Sequence, residues 1–97
     1  MKLIEKLSDM IDEELDDAYR YAECSILHED DTELSKTFRL LSNEELGHAM
    51  KLHEQVTRII KNYKDVKGEP PAEMAALYEY LHKRQVDKYS DVKVLLS

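Results

Sequence analysis

Glu45 and His48 form an E-x-x-H step inside a stretch that is otherwise apolar at helical spacing. Phe38, Leu41, Glu45, His48, Leu52, Gln55 and Ile59 alternate at intervals of three and four, the repeat of one face of an amphipathic helix. A carboxylate and an imidazole on a stripe expected to be buried must be neutralised, hydrogen-bonded or metal-bound, because burying an unpaired ionised carboxylate is too costly. Side chains three residues apart lie on one helix face and can hold one cation between them. The chemistry predicted is therefore coordination of a divalent metal. In a chain with 4 His and 21 acidic residues the motif is weak by itself and needs support from its surroundings.

That support comes from the first thirty residues. Ile4, Leu7, Ile11, Glu14, Ala18, Tyr21 and Ser25 repeat the same alternation, again with one carboxylate in the seam. Between the two stretches, His28-Glu29-Asp30-Asp31-Thr32 breaks the apolar pattern, and Asp30 with Glu33 has the form of an acidic capping box that starts a new helix. A tight helical hairpin is predicted. With its turn centred between Glu29 and Asp30, Glu14 and Glu45 stand equally far from it, roughly 23 Å at about 1.5 Å per residue. Glu14, Glu45 and His48 thus meet at one level. A di-iron carboxylate centre in a four-helix bundle takes one Glu from each of two helices and a Glu-x-x-His from each of the other two. One hairpin supplies half of that set, so the stoichiometry predicts a dimer with the metal centre on its twofold axis.

The stretches Glu13-Glu14-Leu15-Asp16-Asp17-Ala18-Tyr19-Arg20-Tyr21 and Asn43-Glu44-Glu45-Leu46-Gly47-His48-Ala49-Met50, with an acidic turn between them, resemble the encapsulated ferritins and related short members of the ferritin-like superfamily. The likeness covers roughly the first two thirds of the chain. It implies Glu14, Glu45 and His48 as metal ligands, Tyr21 as an aromatic position near the centre, and a ferroxidase that oxidises Fe(II) to Fe(III) with O2 for iron storage or detoxification. It also implies a centre assembled between two chains and an encapsulating shell protein as partner. The C-terminal Asp91-Val92-Lys93-Val94-Leu95-Leu96-Ser97 does not have the form of a shell-targeting peptide.

Other candidates have plainer readings. A second E-x-x-H, Glu79 to His82, lies on a less apolar stripe, with Met74, Leu77, Leu81 and Leu95 as a competing one. A chain reversal near Gly68 puts Glu79 level with Thr57 or Arg58, roughly 18 Å from Glu45 at about 1.5 Å per residue. A solvated face is preferred there over a secondary site with His53 and Glu54. Asp12, Glu13, Asp16 and Asp17 could collect cations near Glu14, but an acidic run is usually a wet helix face. Tyr21 is expected to pack in the core. The alternative for the triad itself is a buried Glu/His network that fixes helix pairing in a non-enzymatic assembly or adaptor protein, or a metal site that is only structural.

The elements that must position these residues follow from composition. Two Gly, two Pro and abundant Glu, Lys, Leu and Ala predict an all-α chain in a single domain, residues 1–97. Helices are expected over about 3–27, 32–64 and 71–94, broken by the acidic turn and by Lys67-Gly68-Glu69-Pro70-Pro71. The expected architecture is an antiparallel hairpin plus a third helix, completed to a four-helix bundle by dimerisation. At 97 residues the core is limited, so a homodimer or larger homo-oligomer is a natural source of stability. The net charge of −7 disfavours nucleic acid and attracts cations. Carboxylate and imidazole ligands suit iron, with Mn, Zn or Ca as substitutes. The single Cys24, the charged N-terminus Met1-Lys2-Leu3-Ile4-Glu5-Lys6-Leu7 and the lack of a long apolar run predict a cytoplasmic protein without membrane contact, or one inside a protein compartment.

Overall fold

Both chain breaks act where the sequence places them, and three helices result. The computed structural model describes residues 2–97, which form α1 (Lys2–Leu27), α2 (Thr32–Lys67) and α3 (Ala72–Leu96), with no strand among them. Met1 of the charged N-terminal stretch lies outside the described residues. The start of α2 is capped by Asp31 rather than Asp30: its side chain accepts from the Leu34 N–H at 3.1 Å. This satisfies one of the amides a helix N-terminus leaves open. α2 runs three residues past the expected Lys64, because nothing before Gly68 interrupts it. Gly68 takes a positive φ of 80° and its N–H closes onto the Lys64 carbonyl at 2.9 Å. Pro71 precedes α3 instead of opening its first turn, and α3 continues to Leu96.

α1 and α2 form the antiparallel hairpin. Ser42 Oγ donates to the Ala18 carbonyl and Ser35 Oγ to the Ser25 carbonyl, both at 2.7 Å, which fixes the register. The buried stripe differs from the expected one by one residue, at alternate positions of α1 and at every buried position of α2. On α1 it comprises Ile4, Ser8, Ile11, Leu15, Ala18, Ala22 and Ser25, and on α2 Ser42, Leu46 and Ala49. Leu7, Glu14 and Tyr21 of α1, with Phe38, Leu41, Glu45 and Leu52 of α2, are half-buried along an adjacent flank, and His48 is exposed. The cause is α3, which docks on the other side of the hairpin and rotates the core toward itself.

α3 runs parallel to α1. Gln85 Nε2 donates to Ser8 Oγ at 2.8 Å and, further along both helices, Lys88 Nζ donates to Asp16 at 3.0 Å. Val92 and Leu96 complete a core with Ile11, Leu15, Ala18, Ala22, Leu46 and Ala49. The backbones of α2 and α3 come close almost nowhere, since each packs against α1. The result is a rod of 55 × 19 × 18 Å with a radius of gyration of 16.0 Å, where a compact domain of about 100 residues has about 13 Å. Such a shape leaves a large share of surface per residue and a small core.

Candidate metal centre

The register set at Ser25–Ser35 and Ala18–Ser42 carries Glu45 of α2 opposite Glu14 of α1, and one helical turn later His48 falls on the same side. One ligand atom from each of Glu14, Glu45 and His48 lies within 4.8 Å of the other two, the only such group of three His, Cys, Asp or Glu among the described residues. His48 Nδ1 is 3.4 Å from Glu14 Oε2 and 3.7 Å from Glu45 Oε1. The expectation that these side chains lie inside the core is corrected. They sit at its edge, with the side chains of Glu14 and Glu45 28% and 19% exposed and that of His48 52%. An ion could reach them from solvent without the chain opening.

Two carboxylates at such close range cannot both ionise freely. A hydrogen bond to Glu14, then burial, then the negative charges of Glu14 and Asp17 push the Glu45 carboxyl from its usual 4.5 up to about 7, and His48 opposes the rise. Glu14 Oε2 is buried and accepts no hydrogen bond. A buried carboxylate oxygen without a hydrogen bond beside a carboxyl that titrates at about 7 is an incomplete polar site, and a divalent cation would correct both defects together. The donor set of two carboxylates and one imidazole fits iron or manganese.

The triad looks away from α3. Asp12 pairs with Arg84 and lies 3.8 Å from Lys88, so that side of α1 faces α3, whereas Glu14 is two residues on, about 200° further round at about 100° per residue. These ion pairs also correct the preferred reading of the acidic run as a wet helix face: Asp12 and Asp16 are engaged by α3, and Asp17 pairs with Arg20, which leaves fewer free carboxylates to collect cations. No protein-family model, no curated protein and no solved structure matches the chain.

Beyond the triad, Tyr21 stacks on Phe38 with ring centroids 6.2 Å apart, and Phe38 on His28 at 6.1 Å, along the same half-buried flank. The core position expected for Tyr21 is corrected to this edge. The second E-x-x-H does not act as a unit. Glu79 is exposed and joins no cluster, while His82 reaches across to α2, where its Nδ1 lies 3.1 Å from His53 Nε2. Burial, and then the proximity of His82, push the His53 imidazole below its usual 6.5, with Glu54 opposing. The opposition of His53 and His82 was visible only as a shared level; which rings would turn toward each other depended on where α3 docks.

Proposed function

We propose that two copies of this chain join through the open flank of the hairpin to form a di-iron ferroxidase. The convergence of Glu14, Glu45 and His48 within 4.8 Å carries the proposal. Three ligands suit one end of a two-metal site, and a twofold-related copy would bring the other three, giving the four Glu and two His of a di-iron carboxylate bundle. The half-buried stripe of Leu7, Tyr21, Phe38 and Leu41 on the same flank as the triad supports that association, since it offers partly exposed apolar surface beside the ligands. The four helices of the two hairpins would then form the bundle, with α3 outside it.

Fe(II) is the substrate of this reaction. Glu45 must give up its proton to bind it, and its carboxyl at about 7 makes that loss inexpensive near neutral pH when a cation takes the proton's place. Glu14, with its unbonded oxygen, holds the opposite side of the site, and His48 fixes the third direction. Oxidation of an Fe(II) pair releases two electrons, which O2 takes up with two protons. The chain contributes position and charge, and the metal carries the electrons. Iron storage or detoxification is the setting proposed by the sequence resemblance.

The test measures O2 consumption when Fe(II) is added to the full chain, alongside native mass with and without the metal. Oxidation faster than in buffer, with two Fe per pair of chains and a dimer favoured by metal, is the expected result. Metal bound without O2 uptake would leave a structural site, and no metal bound would leave a Glu/His network that fixes helix pairing.

A further inference from the structure

On the other side of the hairpin, α2 and α3 diverge and leave a groove floored by α1. Two cavities of about 320 Å³ each occupy it, and the polar residues common to both linings are His53, His82 and Gln85. Gln85 Nε2 is engaged by the hydroxyl and carbonyl oxygens of Ser8, which leaves the amide oxygen as the donor atom Gln85 can offer to a cation. The two imidazoles therefore bridge the groove between one space and the other. They are stacked at a centroid distance of 4.9 Å, and His53 Nε2 stands 3.1 Å from His82 Nδ1.

We propose that His53 and His82 form a second metal site, separate from the carboxylate centre, that takes a borderline divalent cation of the Zn(II), Ni(II) or Cu(II) class and ties α3 to α2. The nitrogen separation is the bite of a chelate: at metal–nitrogen distances of about 2.0–2.1 Å and angles between about 90° and 109°, two ligand atoms stand roughly 2.8–3.4 Å apart. The observed 3.1 Å falls inside that range, so an ion could replace the shared proton with the two nitrogens kept at this separation and each ring turned to aim its lone pair off the line between them. Each imidazole would present one lone pair and keep its proton on the remote nitrogen, His53 Nδ1 and His82 Nε2. The cavities on both sides leave room for water to complete the coordination shell. Among the described residues no carboxylate oxygen lies within 4.8 Å of both imidazoles, and Glu54, which lines one of the cavities, acts on His53 through its charge alone. Imidazole without carboxylate favours Zn, Ni or Cu over Ca, Mg or Mn. The hairpin thus carries a carboxylate-rich site on one flank and an imidazole pair on the other, sorted by ligand hardness. This inference does not rest on the ferroxidase reading.

The decisive measurement is Zn(II) titration calorimetry on the full chain carrying Glu45→Ala and His48→Ala, which removes the carboxylate centre, compared with the same chain also carrying His82→Gln. The double variant should bind one Zn(II) per chain, and the triple variant should lose at least about tenfold in affinity, the lower end of what losing even an outer-shell partner costs a metal site. Nitrogen NMR of the double variant provides a readout that needs no further substitution. Zn(II) should shift the His53 and His82 ring nitrogens and leave His28 unmoved. Equal affinity in double and triple variants, or ring nitrogens unchanged at saturating Zn(II), would overturn the proposal and leave the pair as a neutral hydrogen bond. Failure here would leave Fe(II) oxidation by the intact chain unaffected, so the two readings stand or fall separately.

Discussion

The two flanks of the α1–α2 hairpin are built from neighbouring residues and differ in almost every physical respect. The flank under α3 closes with small and apolar side chains, Ile11, Leu15, Ala18, Leu46 and Ala49, and pairs polar groups within the chain through Ser8–Gln85, Ser42–Ala18 and Asp12–Arg84, with Asp12 Oδ1 and Arg84 Nε left without a hydrogen bond beside that ion pair. The opposite flank has larger apolar groups, Tyr21, Phe38 and Leu41, yet leaves them half-covered and sets Glu14, Glu45 and His48 among them with a Glu14 oxygen unbonded. One surface is covered within the chain, and its charges are paired there. The other has the chemistry of an interior without the enclosure, and what it lacks is what a second copy and a metal would supply.

The sharpest way to break this comparison is to remove the ligands. Glu45→Ala or His48→Ala should lower the Fe(II) oxidation rate by more than about 100-fold, the upper end of the loss seen when even outer-shell partners are removed. Helical circular dichroism should remain, because the core flank is untouched. Glu79→Ala, on the exposed face of α3, is the control and should oxidise Fe(II) like the parent chain. Equal loss in the control would show that the open flank is not the site.

Much of this was legible in the sequence. The hairpin turn between Glu29 and Asp30 and the level meeting of Glu14 with Glu45 follow from counting residues along helices, and the structure places them so. The burial of the triad did not follow, for a definite reason. A stripe at three-four spacing is about one residue wide in its uncertainty, and Ile4, Ile11, Ala18 and Ser25 belong to both the predicted and the observed stripes of α1. Only the docking side of α3 decides whether Leu7 or Ser8, Glu14 or Leu15, turns inward. α3 itself carries weak periodicity, and its attachment through Arg84, Gln85 and Lys88 to Ser8, Asp12 and Asp16 is polar, which apolar patterning does not detect.

Paired substitutions on α2 sharpen the contrast at the next scale. Leu46→Ala, in the closed flank at 2% exposure, should cost about 2–5 kcal/mol of stability by leaving a cavity, a large part of the roughly 5–15 kcal/mol typical of a domain. Leu41→Lys, on the open flank, should change the stability of the isolated chain by no more than about 0.5 kcal/mol while weakening metal-linked dimerisation by at least about tenfold, since it sets two like charges against each other across a twofold axis. Urea titration of the dilute chain and sedimentation at increasing concentration separate the two quantities. Dimers of unchanged strength in Leu41→Lys would move the association elsewhere.

The smallest effects, and the most diagnostic of the difference between the flanks, are their pH dependences without metal. On the open flank Glu45 titrates at about 7 in the folded chain against 4.5 ordinarily, so between those values the folded state holds a proton that the unfolded chain releases. Its contribution is complete below about 4.5 and is lost as pH rises through about 7. On the groove side the sign is reversed. His53 is held below its usual 6.5, so as pH falls through that value the unfolded chain takes up a proton that the folded chain resists, and stability is lost on acidification. Urea midpoints measured in chelator from pH 5 to pH 8 should therefore show Glu45→Gln gaining on the parent chain as pH rises, and His53→Gln gaining as pH falls. The Glu45 effect should be the larger, because the hydrogen bond to Glu14 adds there to burial and to the repulsion between the two carboxylates, whereas His53 answers mainly to burial. Adding Fe(II) or Co(II) under anaerobic conditions should abolish the Glu45 loss at high pH, since the cation then takes the place of the proton. Parallel pH profiles for both variants and the parent would show that neither flank holds its titratable group under the strain inferred from these distances.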